Sequence, residues 1–187
     1  MIRTTKVEIK NIQRISQGDI FRNVDLIQSV SESEGNIEIH KISFPLIIVL
    51  TQDCDLEQDN RFRSEPGIPN QDKYLLSVLV APLYNAEHVY TGEHLSELSM
   101  TMRTFDRKSN SVMNPLQNNS NPRYHYLNFP TDVAIVPSII DFKHYFSVDV
   151  EELRRLFSEK YICSVSELHR EDVSQRFTSF LARIGLP

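Results

Sequence analysis

Apolar runs separated by polar turns dominate the pattern along this chain and predict a mainly β protein. Residues 46–50 form a continuous aliphatic run of strand length, and residues 74–83 form a second run that ends next to a proline. Continuous runs of this length are typical of buried strands. Residues 20–30 predict a further core strand, and the alternating residues 37–42 predict a half-exposed one. A polar hairpin loop is expected between them, at residues 31–36.

Helical spacing and irregular spacing divide the rest of the chain. Residues 86–99 are helical in part, residues 150–157 predict a short helix and residues 165–184 predict a longer one. Residues 57–73 are highly charged and contain prolines and a glycine, and residues 100–128 include an asparagine-rich stretch. We expect these last two segments to be loops or insertions.

Length and composition favour one globular domain covering residues 1–187. A chain with 40% hydrophobic and 24% charged residues can bury a self-sufficient core. No apolar run approaches the roughly 18 residues of a membrane span, and a signal-peptide run is missing from the beginning. Two cysteines are too few for a disulfide scaffold, so we expect a cytoplasmic protein. The net charge of −5 argues against general nucleic-acid binding but permits a small basic groove.

The residues that follow the 46–50 strand carry the first candidate chemistry. Gln52, Asp53, Cys54 and Asp55 stand where a buried strand reaches the surface. A rigid strand holds such exit residues in place while leaving them accessible to solvent. We therefore take Asp53 as a candidate catalytic residue, and Gln52 and Asp55 as candidate substrate-binding residues.

Cys54 supports two interpretations. Neighbouring carboxylates disfavour a thiolate, and strand alternation would turn Cys54 away from Asp53 and Asp55. These features predict a small buried hydrophobic side chain at the end of the strand. The alternative is a reactive thiol in a cysteine-dependent or metal-dependent hydrolase.

A second group of candidate residues lies further along the chain. Arg123 and Tyr124 would bind a phosphate and stack on a base, and His125 and His144 would act in acid–base catalysis. In extended strands Arg123 and His125 share one face, whereas Asp141 lies opposite His144. The alternative is that the tyrosines pack in the core and the cations stay solvated. These histidines and Asp141 would also be the distant ligands of a metal, but zinc-type spacing is missing, so we expect no metal and no cofactor.

Three sequence blocks resemble the PemK/MazF-type toxin family. QGDIFRNVDL at residues 17–26 is similar to the family's opening glycine–aspartate strand. FPLIIVLTQD at residues 44–53 is similar to its second block, in which an arginine–proline pair precedes an apolar strand. VLVAPL at residues 78–83 resembles its third block. The resemblance implies an SH3-like β-barrel with C-terminal helices, here enlarged by a mid-chain insertion.

The resemblance also implies an activity and a set of partners. Members of the family are typically endoribonucleases that use an arginine before the proline and a threonine or serine after the third block. This chain has Phe44 at the first position, and Tyr84 and Asn85 at the second. An arginine stabilises the charge that develops on a phosphorane, which phenylalanine cannot do. The site must therefore have been rebuilt if the chain cleaves RNA.

Two functions follow as hypotheses. The first is a toxin–antitoxin-like protein of bacterial defence that binds RNA or an antitoxin-like protein, with Asp53, His125 and His144 as catalytic residues and Arg123 in substrate binding. The second is a non-catalytic protein-interaction module. The resembled family commonly dimerises, which also implies a homodimer.

Overall fold

The computed structural model describes residues 4–65, 67, 69–107 and 114–183. These residues form eight β-strands and four α-helices. The strands are β1 Val7–Glu8, β2 Asp19–Ser33, β3 Asn36–Val49, β4 Ser77–Asn85, β5 Tyr124–Leu127, β6 Ser138–Asp141, β7 Phe146–Asp149 and β8 Tyr161–Val165. The helices are α1 Asp53–Ser64, α2 Ala86–Thr91, α3 Val150–Lys160 and α4 Glu167–Leu181. The prediction of a mainly β protein with helices is confirmed.

Residue contacts divide the chain into two compact units, each made of separate segments. The first, which we call the ribbon unit, comprises Ile9–Pro82 and Phe146–Ser164. The second, which we call the histidine unit, comprises Met1–Glu8, Leu83–Tyr145 and Val165–Pro187. Strand β4 begins in the ribbon unit and ends in the histidine unit.

The ribbon unit is an antiparallel sheet in which β2 lies between β8 and β3, and β4 lies between β3 and β7. Its core is aliphatic and aromatic. Residues 46–49 of the predicted 46–50 run form the end of β3, and residues 47–50 are buried, as expected. Helix α3 covers this core. Phe157 of α3 makes an edge-to-face contact with Phe21 of β2, with ring centroids 5.6 Å apart. The predicted short helix at 150–157 is thereby confirmed and extended.

A long hairpin replaces the polar loop that we predicted at residues 31–36. Strands β2 and β3 stay paired as far as Ser33 and Asn36. The turn consists only of Glu34 and Gly35, both with positive φ, at 52° and 81°. Two successive positive φ values define the two-residue turn that matches the twist of an antiparallel pair. The loop prediction was wrong because the ends of both strands are polar, and we took these polar residues for a loop.

Helix α1 is the largest departure from the sequence prediction, which placed a loop at residues 57–73. It begins at Asp53 and runs to Ser64, with acidic residues in its first turn and arginines in its last. This charge order suits the helix dipole. Of the apolar residues in α1, only Leu56 is buried, so the helix has no apolar stripe that periodicity could reveal. Residues 66 and 68 lie outside the described residues.

The histidine unit contains the end of β4, which pairs antiparallel with β6, and β6 pairs antiparallel with β5. Phe142 is fully buried and packs against Phe177 and Phe180 of α4, with ring centroids 5.5 and 6.0 Å apart. Helices are confirmed within both predicted segments: α2 within 86–99, and α4 within 165–184. Residue 184, and residues 108–113 of the predicted insertion, lie outside the described residues.

Among the described residues, no helix combines the length and the apolar character that crossing a membrane requires.

Candidate functional site

Four polar side chains gather around the buried carboxylate of Asp141 in the histidine unit, and we call these five residues together the Asp141 cluster. Its members are Tyr84, His94, Arg123, Asp141 and His144. Asp141 ends β6 and Tyr84 lies near the end of β4. Arg123 immediately precedes β5, the strand that pairs with β6. His144 ends a short 3₁₀ helix that follows Asp141. Pairing of strand ends therefore brings together residues that are far apart in sequence.

The Asp141 carboxylate holds Arg123 in a bidentate ion pair. Arg123 Nε donates to Oδ1 at 2.8 Å and Nη2 donates to Oδ2 at 2.5 Å. The backbone N–H of Lys143 also donates to Oδ1, at 3.0 Å. Asp141 is completely buried, so these donors supply the hydrogen bonds that water cannot. The same hydrogen bonds raise the pKa of Arg123 above its ordinary value.

His144 lies between a carboxylate and a phenol. Its Nδ1 is 3.1 Å from the Tyr84 hydroxyl oxygen and 3.4 Å from Asp141 Oδ2. Two oxygen atoms around Nδ1 favour the tautomer that carries its proton there, which leaves Nε2 as a proton acceptor. Burial lowers the pKa of His144, and Asp141 opposes this effect. Strand alternation had predicted that Asp141 and His144 lie on opposite faces; this was wrong, because the 3₁₀ turn places residues i and i+3 on one side.

Tyr84 and His94 are the remaining members of the cluster. Burial, followed by the negative charge of Asp141, raises the pKa of Tyr84, so its hydroxyl stays protonated. The His94 ring lies 4.9 Å from the Tyr84 ring and 6.5 Å from the His144 ring, measured between centroids. Burial is also the main cause of the lowered pKa of His94. Both histidines are therefore neutral near pH 7.

His125 is in the core of the histidine unit, with 2% of its surface exposed. Its ring lies 6.3 Å from that of Phe142, and its Nδ1 has no hydrogen-bond partner among the described residues. Burial, with smaller effects from Arg176 and His169, lowers the pKa of His125 to about 3. The side chain that we predicted to be catalytic thus titrates far below neutrality.

Tyr124 is also buried, with 5% exposure. The Arg123 guanidinium lies 5.0 Å from the centre of its ring, and the Phe105 ring meets it edge-on at 5.4 Å. Contacts on this scale leave little of the ring free to stack on a base. Tyr124 therefore packs in the core, as the alternative interpretation predicted. The same interpretation expected a solvated Arg123, but this side chain is bound by the Asp141 carboxylate.

The remaining sequence-predicted residues lie together at the start of α1, in the ribbon unit. Asp53 Oδ1 accepts the backbone N–H of Gln17 at 3.2 Å, and Oδ2 accepts Arg14 Nη2 at 3.3 Å. Cys54 is exposed, which overturns its interpretation as a buried hydrophobic residue. Its Sγ lies 3.6 Å from Gln52 Oε1 and 3.8 Å from Asp55 Oδ1. The helix, rather than a strand end, determines where these side chains point.

Within the described ranges, no group of three or more histidine, cysteine, aspartate or glutamate side chains is arranged to hold a metal ion. The structure thus brings Arg123 and His144 together on Asp141 and leaves His125 in the core of the same unit. Sequence reasoning noted Tyr84 only as a departure from a family motif, and it did not single out His94. Their aromatic neighbours come from separate elements, so no local spacing signals the contact.

Fold and site together define a mainly β protein with antiparallel strands, four α-helices in its described residues and an Arg–Asp–His–Tyr cluster. No model of a known protein family matches this chain, and no curated protein sequence matches it. Inferences about its activity therefore depend on the chemistry of its own residues.

Proposed function

We propose that this chain is a divergent PemK/MazF-type protein of a bacterial toxin–antitoxin-like system, and that it cleaves RNA in the cytoplasm through the Asp141 cluster. One observation carries the proposal: a half-buried neutral histidine, His144, has its Nδ1 within 3.4 Å of both the Tyr84 hydroxyl and the Asp141 carboxylate that also binds Arg123. A positioned base beside a fixed cation can promote phosphodiester cleavage, because the base activates the nucleophile and the cation stabilises the charge that develops on phosphorus.

The three blocks that resemble the family support the scaffold part of the proposal. They fall on the start of β2, the end of β3 and the middle of β4. These strands are neighbours: β2 pairs with β3, and β3 pairs with β4, both antiparallel. Consecutive antiparallel strands are what an SH3-like barrel needs from these blocks.

The proposed reaction uses the 2′-hydroxyl of the RNA as the nucleophile. Nε2 of His144 takes the 2′-hydroxyl proton, the 2′ oxygen attacks phosphorus, and the bond to the 5′ oxygen breaks. The 5′ oxygen takes a proton from water, and the hydroxide that remains takes the proton back from Nε2, which restores neutral His144. The products are a 2′,3′-cyclic phosphate and a 5′-hydroxyl. Arg123 uses two of its five N–H donors on Asp141, so three can bind the phosphorane oxygens. Tyr84 keeps the imidazole oriented.

The test is cleavage of mixed single-stranded RNA by the purified protein. Replacing a general base lowers a rate by about 10²–10⁴-fold, so we expect His144→Gln to lose at least 10²-fold of the activity. His88→Gln is the matched control, because His88 is exposed on α2 of the same unit. Equal cleavage by His144→Gln and wild type would exclude this site, and no cleavage by the wild type would exclude the activity.

A non-catalytic protein-interaction module is the second candidate, and one observation favours it. Asp141 already neutralises Arg123 through a bidentate contact, which weakens the attraction of this cation for phosphate. The net charge of −5 acts in the same direction. If the wild type neither binds nor cuts RNA, recovery of an antitoxin-like partner protein would support this function.

A further inference from the structure

The outer part of the β2–β3 hairpin, residues 27–41, exposes an unusual amount of apolar surface, and we call this part the distal ribbon. Ile27, Val30, Ile37 and Ile39 are 54%, 60%, 70% and 56% exposed. Single exposed apolar residues are common, whereas contiguous groups mark interaction surfaces. A lone two-stranded ribbon also has little stability in water without a face packed on something else.

The strand register places these four side chains on one face. Val30 is directly opposite Ile39, Ile27 is opposite Lys41, and Glu32 is opposite Ile37. Residues 37, 39 and 41 alternate along β3, so they point to the same side. The irregularity between Ile27 and Ser29 keeps both Ile27 and Val30 on that side.

The opposite face of the distal ribbon is entirely polar. Its cross-strand pairs are Ser29 with His40, Ser31 with Glu38, and Ser33 with Asn36. The ribbon is therefore amphipathic although both of its faces are exposed. A period-two pattern of this kind is what a strand pair shows when one face is buried.

The charges at the two ends of the apolar face identify what would cover it. Lys41 lies at the inner end and Glu32 at the outer end, separated by the Val30–Ile39 pair. Consider two copies stacked face to face, related by a two-fold axis that lies between them over the Val30–Ile39 pair. If this axis runs perpendicular to the strands, the Lys41 end of one copy lies on the Glu32 end of the other. An axis along the ribbon would instead place like charges at the same end, which is unfavourable. The face is thus complementary to itself in one orientation.

We propose that the distal ribbon is a homodimer interface, in which two ribbons pack face to face and antiparallel with Val30 and Ile39 at the centre. Lys41 Nζ donates to Asp25 Oδ2 at 2.7 Å in its own chain, and an ammonium group has further donors for Glu32 of the second copy. Opposed sheet faces pack about 10 Å apart, which these side chains can fill.

The small size of the apolar face predicts a weak dimer. Four aliphatic side chains form a contact at the lower end of specific interfaces, about 1,000 Å² in total or less. Such a contact fits reversible association with a dissociation constant on the order of 10 μM. Sedimentation of the full chain from about 1 to 200 μM should therefore show a shift from monomer to dimer.

The first variant tests which face is used. Ile39→Glu places charge at the centre of the interface, and we expect it to raise the dissociation constant at least tenfold. His40→Glu is the matched control, because the adjacent residue points to the polar face and should leave the dimer unchanged. Equal effects of the two variants, or a wild type that is monomeric at every concentration, would overturn the proposal.

A charge exchange tests the antiparallel orientation and the identity of the partner. Glu32→Lys and Lys41→Glu should each weaken self-association, because each variant brings like charges together at both ends. An equimolar mixture of the two variants should form heterodimers about as well as the wild type forms homodimers, since both ends then pair opposite charges. No gain in the mixture over the separate variants would exclude this arrangement.

Discussion

Asp59 is a single residue on which several elements of the ribbon unit depend. It lies on α1 with 1% exposure. Its Oδ1 accepts Arg63 Nε at 2.8 Å and the Leu75 backbone N–H at 2.7 Å, and its Oδ2 accepts Arg154 Nη2 of α3 at 3.1 Å. The carboxylate thus connects the helix, the approach to β4 and α3.

Replacing this carboxylate should be costly. Removing one partner of a buried ion pair leaves the others uncompensated and destabilises a protein by about 3–5 kcal/mol. We expect Asp59→Ala to lower the free energy of unfolding by that amount, measured by urea denaturation. Glu65→Gln is the control: it removes the exposed partner of Arg61 and should not change stability measurably. A small effect of Asp59→Ala would mean that the two arginines find water instead.

His125 predicts a pH dependence of stability. The unfolded chain binds a proton at His125 near its ordinary pKa of 6.5, whereas burial lowers the native pKa to about 3. Between these values the unfolded state holds more protons, so native stability falls as the pH falls from 6.5 towards 3. The slope from this residue is at most about 1.4 kcal/mol per pH unit.

The pKa values of His94 and His144 are also lowered, so these residues change stability with pH in the same direction. A variant of His125 is therefore needed to isolate its contribution. His125→Phe should flatten the dependence of unfolding free energy on pH between 6.5 and 3, while His88→Gln should not. Identical slopes for wild type and His125→Phe would show that the imidazole becomes protonated without unfolding.

Gly35 and Gly92 have the same kind of backbone conformation but different surroundings, so substitutions at the two positions distinguish backbone strain from steric collision. Gly35 in the distal hairpin and Gly92 after α2 have similar φ values, 81° and 76°. A Cβ at Gly35 meets nothing within 4 Å, whereas a Cβ at Gly92 would collide with the backbone carbonyl of Met102. The loop that returns past α2 therefore requires a residue without a side chain.

Alanine at each position should expose this difference. Gly35→Ala should lower the free energy of unfolding by about 1 kcal/mol, the usual effect of placing a non-glycine residue in a left-handed conformation. Gly92→Ala should lower unfolding free energy by clearly more, about 2–4 kcal/mol, since strain and a backbone collision add. Thermal and urea denaturation of both variants measure the two values. Equal losses would indicate that the Met102 segment moves aside at little cost.

Among elements, predictability followed the strength of the hydrophobic pattern. The 46–50 run was recognised as a buried strand because all five residues are apolar, and the structure buries most of them. Helix α1 was not predicted, because a single buried leucine gives no helical periodicity and many of the other contacts of this helix are ionic. The site was predictable only in part: Arg123 and His144 were named from residue type, but their contacts with Tyr84 and Asp141 require strand pairing that no local pattern encodes.

For the whole molecule, the discontinuous units predict how truncation acts. A chain ending after Tyr145 loses β7, α3 and β8 from the ribbon unit and α4 from the histidine unit. The Phe21–Phe157 and Phe142–Phe177 contacts would both be lost. We expect this truncated chain to unfold without a cooperative transition and to be digested by protease much faster than the full chain. A protected fragment of either unit would show that its earlier segments fold unaided.

Because each unit is made of segments that are separated in the sequence, the order of synthesis affects when each unit can fold. Residues 146–164 return to the unit that holds residues 9–82, and residues 165–183 return to the one that holds residues 83–145. During translation the first unit cannot close before residues 146–164 have left the exit tunnel, and the second cannot close before residues 165–183 have followed. The apolar strands made first must wait, so nascent chains of this protein should be clients of chaperones that bind co-translationally.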